Sequence, residues 1–308
     1  MTTFEDLYQY TQNKVNIDGI IALDTQFVVD MMNVLGPLKA ADTTFTTDKV
    51  DACDCAQIIY QLEQFADQPT NQVNNARKDI IGTLMQAMMD KAFNAPKTQW
   101  PLLLSATIQS LREKHLIMYF HDPQIEQAAE KVNFAGRINQ YDGDYLSIID
   151  TNFAGAKSNL YVQESVGQTI KQNKDQLDEN LAIDYKYPRK MDDCSLTRTG
   201  GLCLAGIYRD WIRIYVPKGS QLTKADGITL TATEDLDKTV FEGFFELRPE
   251  GALKFNIQYT VPVKVGSQYK LLIQKQGGTQ PIQFTIDALG KKLKPFPLDT
   301  DKELLIKP

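Results

Sequence analysis

Apolar positions along this chain change rhythm near residue 150. Before that point they recur at helical spacing. Phe27, Val28, Met31, Met32 and Leu35 form one stripe over Thr25–Leu35, and Gly36-Pro37 stops it. Ile80, Leu84, Ala87 and Met88 repeat at three-to-four spacing from Asn75 to Phe93, with Pro96 beyond. A further helix is predicted over Pro101–His115, with Leu103, Leu104, Ile108 and Leu111 inside it. Asp122-Pro123 combines an N-cap with a proline at the first helical position and opens a helix over Gln124–Val132. Apolar runs at Gly19–Leu23, Leu116–Tyr119 and Tyr145–Ile149 predict strands between these helices. Strands alternating with helices indicate an α/β layered unit.

The second half has period two. Leu181, Ile183, Tyr185 and Tyr187 alternate with polar neighbours. So do Ile212, Ile214 and Val216; Ile228 and Leu230; Leu253, Phe255, Ile257, Tyr259 and Val261; Tyr269, Leu271 and Ile273; and Ile282, Phe284 and Ile286. Such runs, separated by Gly, Pro and Asp, predict half-buried antiparallel strands. About seven of them fit a β-sandwich of immunoglobulin-like size, though the antibody-type Cys–Trp–Cys spacing is missing. The expected class is therefore α+β, with an α/β domain over 1–150, an antiparallel β-sandwich over 151–290 and a loose tail over 291–308.

Composition narrows the partners. Of 308 residues, 33 are Lys or Arg and 39 are Asp or Glu, a net charge of −6. A nucleic-acid or anionic-lipid binder needs a concentrated positive surface, so neither is expected. No apolar run is long enough to span a bilayer. The opening, MTTFEDLYQY, has no basic n-region or apolar h-region, so no signal peptide is expected.

The four cysteines bear on the compartment. Cys194 and Cys203 bracket a polar, glycine-bearing stretch and are expected to form a disulfide. Closing that ten-residue loop contributes roughly 2–3 kcal/mol by chain-entropy reasoning. Cys53 and Cys55 form a C-x-C for which reduction, bridging and metal binding all stay open; the spacing is not the usual zinc pattern. A disulfide fits an oxidising location. With no leader in sight, the chain is either cytosolic or anchored by a segment upstream.

Chemistry-bearing motifs are sparse. The two histidines, His115 and His121, sit at a helix end and before a helix cap, where structural roles suit them. G-x-S-x-G, H-E-x-x-H and G-x-x-x-x-G-K-[ST] are all missing. Asp142-Gly143-Asp144 lacks the full spacing of a calcium loop and reads as a turn into the Tyr145 strand. Asn74-Asn75-Ala76-Arg77-Lys78-Asp79 opens a helix, and Arg77 and Lys78 there suit phosphate oxygens. Asn152, Lys157 and Tyr161 lie in DTNFAGAKSNLYV at the expected join between halves. There a buried lysine paired with a carboxylate would fix the interdomain angle. No metal site and no cofactor are expected from the residues.

Two segments carry a family resemblance. VNIDGIIALDTQFVVDMMNVLGPL resembles the strand-to-helix stretch of LytR–CpsA–Psr proteins, and RKDIIGTLMQAMMDKAF looks like their arginine-led helix. A closer resemblance is to the bacterial envelope family called domain of unknown function 4012, whose first part is similar to that transferase fold. It rests on IDGIIALD with LGPL, RKDIIGTLMQAMM, the Asn152/Lys157/Tyr161 segment, WIRIYVPKGSQL and YKLLIQKQGGTQPIQFTID, and covers nearly the whole chain in order. The resemblance implies an extracytoplasmic, cell-surface protein whose membrane anchor lies upstream. It also implies a partner that is a cell-wall glycopolymer or lipid-linked glycan, bound as a phosphorylated glycan or polyprenyl-pyrophosphate. Alternatives are a non-catalytic adhesion or scaffold module, and a glycopolymer-to-cell-wall phosphotransferase in the full-length protein. Only the last would bring magnesium. The transferases supply an Asp and an Arg for magnesium and pyrophosphate from a first strand with no counterpart before Ile17. Of the cleft's arginines only Arg77 maps, with Lys78 and Asp79 beside it.

Overall fold

The computed structural model describes residues 2–11, 14–67, 79–195, 198 and 200–308. The protein is α+β. It divides into two compact units, residues 1–137 with 277–279, and residues 138–276 with 280–308.

Unit 1 is helical with short strand pairs. Its helices are α1 (Thr2–Tyr8), α2 (Thr25–Leu35), α3 (Gln57–Ala66), α4 (Asp79–Phe93), α5 (Trp100–Arg112) and α6 (Pro123–Lys131). Three antiparallel pairs accompany them: β1 (Gly19–Leu23) with β6 (Leu116–Phe120), β2 (Leu38–Ala40) with β3 (Thr43–Phe45), and β4 (Lys49–Val50) with β5 (Cys55–Ala56). The stripe predicted for α2 is its buried face: Phe27, Val28, Met31, Met32 and Leu35 are all in the core. Gly36 ends the helix at φ +76°, where a left-handed residue lets its N–H reach Met32 O at 2.7 Å. Ile80, Leu84 and Met88 of α4 join the same core. On α5 the expectation holds only in part. Leu103 and Leu111 are buried, whereas Leu104 and Ile108 face solvent, because the helix packs through one narrow side.

Unit 2 is a two-sheet sandwich. Its strands are β7 (Asp144–Asn152), β8 (Gln163–Asn173), β9 (Gln176–Lys186), β10 (Tyr208–Pro217), β11 (Gln221–Asp226), β12 (Thr231–Asp235), β13 (Lys238–Leu247), β14 (Ala252–Val261), β15 (Tyr269–Gln274), β16 (Ile282–Ala288), β17 (Lys291–Lys292), β18 (Phe296–Leu298) and β19 (Lys302–Ile306). One sheet runs β12-β13-β10-β7-β15-β19. The other runs β11-β14-β9-β8-β16-β17, with β18 also on β16. The period-two positions read from the sequence point inward: Leu181, Ile183, Tyr185, Ile212, Ile214, Phe255, Ile257, Leu271, Ile273, Phe284 and Ile286 share one apolar core.

Three expectations need correction. The strand at Tyr145–Ile149 belongs to the sandwich, where β7 lies between β10 and β15, so the boundary falls at 137/138 rather than 150. The sandwich is mixed, because β7–β15 and β8–β16 pair in parallel. Parallel neighbours need long crossovers, and the chain makes β8–β14 before returning beside β7. The tail over 291–308 is not loose. Lys302, Leu304 and Ile306 alternate along β19, which pairs with β15 and buries Ile306, while Leu298 is buried on β18. Two buried side chains and a ladder of backbone bonds outweigh a Lys- and Pro-rich composition.

All four cysteines are in disulfides, Cys53–Cys55 and Cys194–Cys203. The open question at C-x-C thus resolves to a bridge. Asp54 between the two cysteines turns the chain at φ +53°, a left-handed conformation that Asp tolerates, and ion-pairs with Lys49. No helix among the described residues is long and apolar enough to cross a membrane.

Candidate functional site

The predicted phosphate cluster is only partly within reach. Arg77 and Lys78 lie outside the described residues, as do Asn74, Asn75 and Ala76. Asp79 is exposed and begins α4. The histidines hold structural positions in unit 1. Asp24 caps α2 by accepting from Phe27 N at 3.0 Å, and its other oxygen meets His115 Nδ1 at 2.6 Å. His115 Nε2 is 3.8 Å from Glu113. Ser110, the buried hydroxyl nearby, donates to Asp30 at 3.3 Å rather than to His115, so these groups form no nucleophile–base pair. His121 Nε2 meets Glu5.

The second predicted group lies within unit 2, its three residues along one stretch of chain but each with partners of its own. Asn152 ends β7. Its Nδ2 donates to Asn159 Oδ1 at 2.7 Å, and its Oδ1 accepts from Ala154 N at 2.9 Å, closing the following loop on itself. Tyr161 stacks on Tyr187 with ring centroids 6.5 Å apart, and the Arg189 guanidinium lies 4.4 Å over the Tyr161 ring. The Cys194–Cys203 bridge lies against this loop. Ser158 Oγ donates to Gly206 O at 2.9 Å. A Cβ on Gly206 would come within 2.9 Å of Ala156 Cβ and 3.6 Å of Cys194 Sγ, which only glycine avoids. Lys157 is exposed at the start of the Ser158–Leu160 turn, not buried as expected, because the chain turns it outward where the loop leaves β7.

The sandwich interior holds groups the sequence reading passed over. The inward face of β7 reads Asp144, Leu146, Ile148, Asp150, with a carboxyl at each end of an apolar run. At one end Asp144, 1% exposed, accepts from Tyr145 N at 2.7 Å and from the Tyr269 hydroxyl. It lies against Glu179 of the opposite sheet. Glu179 Oε2 accepts from Gln168 Nε2 and from the Tyr259 hydroxyl, each at 2.7 Å. Its Oε1 receives no N–H or O–H donor, although the Asp144 carboxyl is beside it. Two ionised carboxylates cannot donate to each other.

At the other end Asp150 accepts from the Tyr185 hydroxyl and lies beside Glu164 and Asp210. Asp210 is 0% exposed and neither of its oxygens is in a well-formed hydrogen bond. Burial is the leading cause that raises the affinity of all five acids for protons. Glu164 and Glu179 are held well above the ordinary carboxylate range, with the facing acid adding to burial. Asp144 and Asp150 are raised as well, and Asp210 is pushed up to about 8, by burial first and then by the charge of Asp150. A sequence signal existed. Glu179 sits two residues before Leu181 and Asp210 two before Ile212, so the phase of the alternation already points both inward.

Among the described residues, no three or more His, Cys, Asp or Glu side chains are arranged to hold a metal ion. Those residues therefore offer no donor set that fits the magnesium implied by a transferase. No family model matches the chain, and no curated protein matches it. Among solved structures, a Legionella pneumophila protein described as nutrient binding aligns at 7% identity with a TM-score of 0.29, over 47% of this chain and 54% of that one. An M1 zinc metallopeptidase from Deinococcus radiodurans aligns at 12% identity with a TM-score of 0.22, over 41% of this chain and 31% of that one. The chain thus spans about half of the first and about a third of the second. Likenesses this slight bear on neither fold nor function.

Proposed function

We propose that this protein is a binding module of the bacterial envelope that works outside the cytoplasm. Its helical unit takes a phosphorylated glycan or a polyprenyl-pyrophosphate-linked glycopolymer, and its sandwich is the rigid support. The observation that carries the location is that every cysteine is in a disulfide, a state that persists in oxidising compartments. A binding role suits unit 1 better than catalysis, since His115 is engaged by Asp24, and Ser110 by Asp30. Arg77 and Lys78 supply the charge a pyrophosphate needs, Arg as a bidentate donor.

Calorimetry with polyprenyl pyrophosphate, with and without magnesium, tests the reading. Saturable binding that Arg77→Ala removes, while the far-ultraviolet spectrum stays unchanged, is the expected result. No heat from the wild-type chain in either condition would leave an adhesion or scaffold module as the better description.

A further inference from the structure

Five carboxyl groups point into the sandwich, Asp144, Glu179 and Asp210 buried and Asp150 and Glu164 half-buried, and no ion pair with a lysine, arginine or histidine is seen for any of them among the described residues. What faces them is acidic or phenolic, apart from the Gln168 amide at Glu179. Asp144 of β7 meets Glu179 of β9 and Tyr269 of β15, and Glu179 meets Gln168 of β8 and Tyr259 of β14. Asp150 of β7 meets Glu164 of β8, Tyr185 of β9 and Asp210 of β10, and Asp210 also lies beside Tyr208. A buried carboxylate without a counter-charge costs far more than its neutral acid. Asp210 is the sharpest case, fully enclosed, with neither oxygen in a well-formed hydrogen bond and with the Tyr208 hydroxyl and the Asp150 carboxyl next to it. Glu179 repeats the pattern at the other end of β7, 3% exposed with Oε1 unpartnered.

We propose that unit 2 is locked by protons: each acid–acid contact between and within its sheets is closed by a proton held at neutral pH, and the sandwich loosens as that proton is lost. The direction follows from linkage. Between the ordinary carboxylate range of the unfolded chain and the raised range of the folded one, the native state binds more protons. Stability is therefore full in acid and declines as the pH rises through that window, which for Asp210 ends near 8. Each such proton changes the folding constant up to about tenfold per pH unit within the window.

The chain has two tryptophans, Trp100 in unit 1 and Trp211 in unit 2 beside Asp210. In a Trp100→Phe chain, Trp211 fluorescence reports unit 2 alone. Its unfolding temperature is expected to fall steadily from pH 5 to pH 8 in the presence of EDTA. Glu179→Gln and Asp210→Asn replace an acid by an amide that always carries a donor. Each is expected to flatten the fall while leaving unfolding at pH 5 close to wild type. Infrared spectra at pH 7 should contain the carbonyl stretch of neutral carboxyl groups and lose it on unfolding, a readout that needs no variant to fold. A flat or rising pH profile, or no neutral-carboxyl band, overturns the proposal. So does restoration of stability at pH 8 by millimolar calcium, which would make the Asp150–Glu164–Asp210 end a cation site instead.

Discussion

The Tyr185 hydroxyl crosses from one sheet to the other and donates to both oxygens of Asp150, at 2.9 and 3.2 Å. Tyr185 lies directly opposite Glu164 on the neighbouring strand, and Asp150 opposite Ile212. One phenol thus bridges the two sheets at the end where three acids gather. Replacing it by phenylalanine removes the donor and leaves the ring. Tyr185→Phe is expected to destabilise unit 2 by about 1–3 kcal/mol, the cost of leaving a buried acceptor unmet. Urea unfolding followed at Trp211 measures it, and an unchanged midpoint would show that the bridge contributes nothing.

Burial raises the phenol groups of Tyr145, Tyr185, Tyr208, Tyr259 and Tyr269 above their ordinary value of 10.0, and nearby acids add to the effect for all five. The folded chain keeps these protons when the unfolded chain has begun to release them. Stability must therefore fall further as the pH climbs past about 10. Absorbance at 295 nm should show these five phenols ionising together with unfolding. A smooth native-state titration of all the tyrosines at 10 would contradict it.

The Cys194–Cys203 bridge holds the loop that meets Ser158 and Ala156. Cys194→Ser with Cys203→Ser is expected to cost unit 2 roughly 2–3 kcal/mol. Denaturation at Trp211 with and without reductant checks this, and reductant should lower the double variant no further. Peptide mapping of the unreduced wild type should yield the linked 194/203 pair.

Asp24 does two jobs with one carboxylate, capping α2 and gripping His115. Asp24→Ala is expected to destabilise unit 1 by about 1–2 kcal/mol. A Trp211→Phe chain, in which Trp100 alone fluoresces, reports it. No loss would mean that both contacts are dispensable.

Much of this was readable from residue order, and the failures have physical causes. The α2 stripe and the inward strands were legible because burial on one side stamps a period on the sequence. Residue order alone places β7 with the helices, because a strand's partners leave no mark on its own residues. β19 is hidden because a short edge strand needs only one or two buried side chains, here Ile306, amid lysines. The interior acids are hidden for a different reason. A charged residue in an inward register looks like the end of a strand unless its phase is followed past the last apolar position. The phosphate-site proposal rests on Arg77 and its neighbours, for which spacing and residue type are the guides.

Ile306 also sets an expectation. It is buried opposite Tyr269, so Ile306→Ala should cost about 2–4 kcal/mol, as for other large-to-small core changes. Thermal unfolding of unit 2 measures it, and a neutral result would return the tail to a loose role.

The parallel contact of β7 with β15 has a consequence for the order of events in making this protein. Asp144 and Tyr269, joined by a hydrogen bond, are 125 residues apart in the chain. The central strand leaves the ribosome well before the neighbour it must pair with. Pairing over such a span is slow, because a long stretch of backbone is gathered before any contact rewards it. Until β15 has been made, the sheet around β7 stays open along that edge.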